Sequence, residues 1–91
     1  MKVRKHIFFS GRVQGVGFRY RSSYLAQSMG LTGWVKNLWD GRVEMEVQGE
    51  STSIQKFLAQ LKTQKYIVIR GMEIEDIDVI AESRFTTTGG W

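Results

Sequence analysis

Between Arg42 and Leu61 the apolar residues change period once, and no other feature of the chain narrows the choice of folds as much. In RVEMEVQ, Val43, Met45 and Val47 alternate with Arg42, Glu44, Glu46 and Gln48, the period of a strand buried on one face. Gly49 ends that run. Ile54, Phe57, Leu58 and Leu61 then fall at i, i+3, i+4 and i+7, one buried stripe of a helix, and Thr52-x-x-Gln55 offers a capping box for its start. A one-sided strand followed by a one-sided helix calls for a sheet with helices laid on its apolar face.

The rest of the chain supplies that sheet. In VRKHIFF, residues 3–9, Val3, Ile7 and Phe9 share one face while Arg4, His6 and Phe8 take the other. From Phe18 to Gly30 the spacing is helical, with Phe18, Leu25 and Met29 on one side and Gly30 as a stop. TGWVKNL reads as a second strand, and Asp40-Gly41 turns it into RVEMEVQ. YIVIRGMEIEDIDVI is strand-rich but slips phase between Met72/Ile74 and Ile77/Val79, which predicts a bulge near Glu75–Asp76. RFTTTGG suits a final edge strand. The order β-α-β-β-α-β predicts an α+β fold, a ferredoxin-like α/β sandwich with both helices on one face of a four- or five-stranded antiparallel sheet. Its other face is left partly exposed, which accounts for His6, Glu44 and Glu46 pointing away from the core. No linker or internal repeat divides residues 1–91, so a single domain is expected.

The 91 residues include no cysteine and no proline, so packing must hold the fold, and thiol catalysis or a cysteine-based metal site is excluded. Near the N-terminus only Ile7, Phe8 and Phe9 are consecutive apolar residues, short of the roughly 7–15 of a signal peptide. A cytoplasmic chain with no membrane partner is expected. The net charge of +4 is unevenly placed: residues 1–42 hold eight Lys/Arg and one acid, and residues 43–91 hold five Lys/Arg and eight acids. The basic half contains GRVQGVGFRY, residues 11–20, and would draw an anion toward it.

That decapeptide is not a dinucleotide fingerprint, because Tyr20 stands where the third glycine belongs, and it lacks the Gly-Lys-Ser/Thr of a Walker loop. It is a glycine loop between a strand and a helix, where unpaired N–H groups and the helix dipole favour an anion. Arg19 in the first helical turn can add a bidentate contact. A glycine-rich turn with solvated arginines fits the same spacing.

GRVQGVGFR, followed by GWVKN and DGRVE, closely resembles the acylphosphatase family. The resemblance is densest over residues 10–49, where two separate motifs occur in the family's order and distance. It implies hydrolysis of the carboxyl–phosphate bond of small acyl phosphates, without metal or cofactor. On this resemblance Gln14, Gly15, Val16, Gly17 and Phe18 form the loop whose backbone N–H groups cradle phosphate, and Arg19 binds it. Asn37 holds the attacking water, while Gly11 and Gly33 shape the backbone. Expected partners are the acyl phosphate and inorganic phosphate or other anions as product or inhibitor, with the protein a monomer.

The implied chemistry needs little. A carboxylate leaving group, with a conjugate-acid pKa of about 4 to 5, departs at neutral pH without a proton. Binding the phosphoryl group, neutralising its charge and placing a water in line remain. The sequence has one His, and neither motif core contains a carboxylate. Asn37 also suits a strand end before a turn for backbone reasons. His6 reads as a sheet-face residue, Trp34, Trp39 and Phe57 as packing, and Arg4, Arg21 and Lys36 as general electrostatic attraction. The family commonly has a Gly-Pro segment after its second helix, but KTQKYIVIRG has neither residue before Gly71, so that connection is built differently.

Two rival readings stand beside this one. RNA-recognition modules share the element order, but they need stacking aromatics on the third strand. Here Glu44 and Glu46 face outward instead and would repel RNA, so no nucleic-acid partner is expected. The second is an acylphosphatase-like domain that has lost hydrolysis or works inside a larger carbamoyl-transferring protein; the absence of cysteine-rich zinc modules and the presence of both Arg19 and Asn37 favour a free-standing enzyme.

Overall fold

A computed structural model describes residues 1–88, so the Gly-Gly-Trp end lies outside the described residues. The elements are β1 (Lys2–Arg12), α1 (Phe18–Ser28), β2 (Thr32–Asn37), β3 (Val43–Glu50), α2 (Ser51–Lys62), β4 (Val68–Ile77) and β5 (Phe85–Thr88). They form one five-stranded sheet in the order β4-β1-β3-β2-β5. The ferredoxin-like α+β architecture expected from the pattern is present.

The apolar alternation reappears as the core. Ile7 and Phe9 of β1, Val35 of β2, and Val43, Met45 and Val47 of β3 are fully buried, together with Phe57 and Leu61 of α2. The α2 stripe is thus the expected one, but its cap is not. The helix starts at Ser51, and the Ser51 N–H donates to the Met1 carbonyl at 3.0 Å, so the main chain caps it where a Thr52–Gln55 box was anticipated. In α1 the buried line is Phe18, Ser22 and Ala26, with Leu25 and Met29 flanking it. Small residues at the centre of this face let α1 lie close to the sheet.

Four strands pair antiparallel, as expected, and β5 runs parallel to β2. The cause is where the chain arrives. After β4 it crosses to the opposite edge of the sheet, past the start of β1 and the end of β3. Arriving where β2 begins, β5 can only run alongside it. Four strand spacings are about 19 Å, within the reach of about 29 Å for the eight steps from Ile77 to Phe85, so the segment can cross without a helix of its own.

The bulge expected at Glu75–Asp76 is absent: Met72 to Ile77 pair without a break with Phe9 back to Arg4, and the parity changes because Ile77 lies on the Arg4 face of the sheet. The register shift falls earlier in the strand. Ser10 faces Gly71 and Gly11 faces Ile69, so the extra residue of β4 is Arg70. Val79 lies beyond the end of the strand, where sheet alternation no longer constrains it. Gly33 shows why one backbone position admits no side chain. A Cβ there would lie 1.9 Å from the Glu46 carbonyl oxygen across the β2–β3 pair.

The crossing segment reverses one expectation of charge. Arg4 is 2% exposed, with Nε donating to Glu46 at 2.8 Å and Nη1 donating to Glu82 at 2.7 Å. Burial works to lower its pKa, but the hydrogen bonds to Glu82 and Glu46 outweigh it and raise the value. Arg4 is therefore a structural cation at the end of the sheet remote from the glycine loop. On the open face His6 pairs with Glu44 at 2.8 Å, as a sheet-face residue should. No helix among the described residues is long and apolar enough to cross a membrane.

Candidate active site

β1 ends at Arg12, and residues 13–17 carry the chain into α1. Val13 is fully buried and Val16 packs against the core, so the loop is anchored from below at two points. Gly15 and Gly17 have φ of 73° and 78°, a region in which a side chain is strained. Gly17 is also the N-cap of α1 and has no side chain to bond the first-turn N–H groups. Those donors are therefore left to whatever lies in front of the helix.

An open cleft of about 300 Å³ lies there, lined by Val13, Gly15, Gly17, Phe18, Arg19, Tyr20 and Asn37. The two motifs, 18 positions apart in chain order from Arg19 to Asn37, meet at this cleft because β1 and β2 both end on the same side of the sheet. Phe18 is buried against Phe9, with ring centroids 4.9 Å apart, so its backbone rather than its ring serves the loop. No residue lining the cleft is Asp, Glu or His.

Gln14 takes a part that its place in the motif did not reveal. Its Nε2 donates to the carbonyls of Leu38 at 2.7 Å and Arg42 at 2.9 Å. The side chain faces the β2–β3 hairpin, not the cleft, and ties the loop to the segment that follows Asn37. The hairpin itself is closed by Leu38 N–H donating to Arg42 O at 2.8 Å and by Asp40 accepting from the Arg42 N–H at 3.1 Å. That backbone bond, with help from the Arg42 guanidinium, holds the Asp40 carboxyl below its usual value against the opposing effect of desolvation.

Arg19 receives a contact from outside both motifs. Its Nη1 donates to the Thr88 carbonyl of β5 at 3.3 Å. The C-terminal strand thus helps aim the guanidinium, which no local spacing could indicate. The other basic residues divide. Arg12 is exposed, Arg21 donates to Gln64 at 3.3 Å, and Lys36 lies over the Trp34 ring, 5.7 Å from its centroid. Phe57 is core as expected, whereas Trp39 at the hairpin tip is 90% exposed and lies outside the core.

As a class, this is a ferredoxin-like sandwich whose cationic cleft sits where a glycine loop meets a helix N-terminus. The acylphosphatase family model matches residues 5–87. An acylphosphatase of Geobacillus kaustophilus is 45% identical over 82 residues, 89% of this chain and 87% of that one. The crystal structure of acylphosphatase from Bacillus subtilis superposes with a TM-score of 0.89 at 33% identity, covering 98% of this chain and 100% of that chain. A crystal structure of full-length HypF in the phosphate- and nucleotide-bound form matches with a TM-score of 0.85 at 28% identity, over 98% of this chain and 12% of that one. The chain belongs to the acylphosphatase family and is a hydrolase.

Proposed function

We propose that this chain, as a single acylphosphatase-like domain, hydrolyses the carboxyl–phosphate bond of small acyl phosphates. The phosphoryl oxygens lie against the backbone N–H groups of residues 14–18, and Arg19 neutralises their charge. Asn37 holds a water in line with the acyl oxygen. The water oxygen bonds to phosphorus as the P–O bond to the acyl group breaks. The electron pair leaves with the carboxylate, and the water proton ends on phosphate.

The observation that carries this reading is that Arg19, Asn37 and the glycine loop border one cleft without an acid or base among its lining residues. A carboxylate leaving group requires neither, since its conjugate acid is far stronger than water. Charge stabilisation and positioning then account for the rate.

The test is hydrolysis of benzoyl phosphate by the purified protein with EDTA present. Arg19→Ala is expected to lose about 100-fold to 1,000-fold in kcat, the scale of one lost preorganised donor, and to bind inorganic phosphate more weakly. Asn37→Ala is expected to lose turnover while keeping its inhibition constant for phosphate. Normal turnover in Asn37→Ala would remove the water-holding role, and a folded but inactive wild type would remove the reaction.

A further inference from the structure

Tyr20 follows Arg19 directly and is 74% exposed. Among the described residues no hydrogen bond, ion pair or ring contact holds it, so the fold makes no visible use of the side chain. Its position is the informative part. Tyr20 is a wall of the cleft shared by Arg19 and Asn37, and of an adjoining hollow of about 280 Å³ lined by Arg19, Tyr20 and Thr87. It also borders a third hollow, of about 350 Å³, with Arg21, Tyr24, Leu25 and Gln64, where Arg21 is engaged with Gln64. Tyr20 is the one side chain common to all three.

Resting on the hydrolase reading above, the acyl half of the substrate has to go somewhere. In-line displacement sends the leaving oxygen away from the water, hence away from Asn37. The glycines offer no side-chain surface, Val13 and Phe18 are buried, and Arg19 is committed to the phosphoryl group. What remains along the cleft is an exposed phenol ring whose far side opens toward Tyr24 and Leu25. We infer that Tyr20 forms the acyl side of the site, and that the enzyme therefore favours acyl phosphates with a flat aromatic acyl group over those with a methyl. An aromatic acyl group can lie on the ring by offset or edge contact, and acetyl is too small to use it.

The experiment compares kcat/KM for benzoyl phosphate and acetyl phosphate in wild type, Tyr20→Ala and Tyr20→Phe, with the inhibition constant for inorganic phosphate alongside. In Tyr20→Ala the benzoyl-to-acetyl ratio should fall by about threefold to tenfold, the scale of one aromatic contact, while phosphate inhibition stays as in wild type. Tyr20→Phe should keep the wild-type ratio, since the ring is retained. An unchanged ratio in Tyr20→Ala, or a Tyr20→Phe variant that behaves like it, overturns the assignment while leaving the hydrolase reading intact. A wild type that turns over neither compound overturns both.

Discussion

Gln14 shows how a residue can belong to a motif for a reason that the motif does not display. Its amide bridges two carbonyls at the mouth of the β2–β3 hairpin, one of them adjacent in sequence to Asn37. Gln14 is thus a positioning residue for the loop relative to Asn37. Gln14→Ala should cost about 1 kcal/mol of stability, measured by urea unfolding, because two partly buried carbonyls each lose one of their two donors. It should also lower kcat by about tenfold, since small displacements of reacting groups are expensive, with less effect on phosphate inhibition than Arg19→Ala has. Arg19 was legible as a candidate from its place in the first turn after a glycine loop, whereas Asn37 was singled out by the resemblance of GWVKN to a family motif, its strand-end position alone suiting a turn. The side-chain target of Gln14 was not legible, as it lies 24 and 28 positions away along the chain.

At the scale of elements, β3 and α2 could be read directly, since each buries one face and shows it in its period. The first turn of α2 could not, because its cap is the main chain of Met1. The connection after α2 is the clearest case of a local rule met by an unusual residue. With neither Gly nor Pro available, the turn from Gln64 to Ile67 closes with Ile67 N–H donating to Gln64 O at 3.3 Å, and Tyr66 takes φ of 75°. A left-handed conformation costs a residue with a Cβ roughly 1–2 kcal/mol. Tyr66→Gly relieves that strain but gives the unfolded chain more freedom. The variant should therefore gain on the order of 0.5 kcal/mol, read as a raised Tm. A lower Tm would show that the contact of Lys65 with the Tyr66 ring, 5.2 Å from Nζ to centroid, outweighs the strain.

Across the whole molecule, the two ends of the sheet do different work. One end carries the loop, Arg19 and Asn37. At the other, residues 78–84 cross the sheet over Arg4 and Gln48, whose Nε2 donates to Ile80 O at 2.8 Å. Arg4→Ala should destabilise the protein by on the order of 3 kcal/mol, at the low end for a broken buried pair. Glu46 and Glu82 keep side-chain exposures of 24% and 18%, so they can recover some hydration. Because the crossing segment delivers β5, and Thr88 of β5 contacts Arg19, the same variant should also weaken inhibition by phosphate at temperatures well below its Tm. A variant that loses stability but binds phosphate normally would uncouple the two ends. The periods, and with them the strands, the helices, the buried faces of β1, β3 and α2 and the two motifs, can be read from the chain alone, because each depends on residues within a few positions of one another. The direction of β5, the burial of Arg4, the central line of α1, the bulge at Arg70 and the target of Gln14 came from the folded chain. Each of these depends on which distant segment the folded chain brings alongside, and a local pattern carries no record of that.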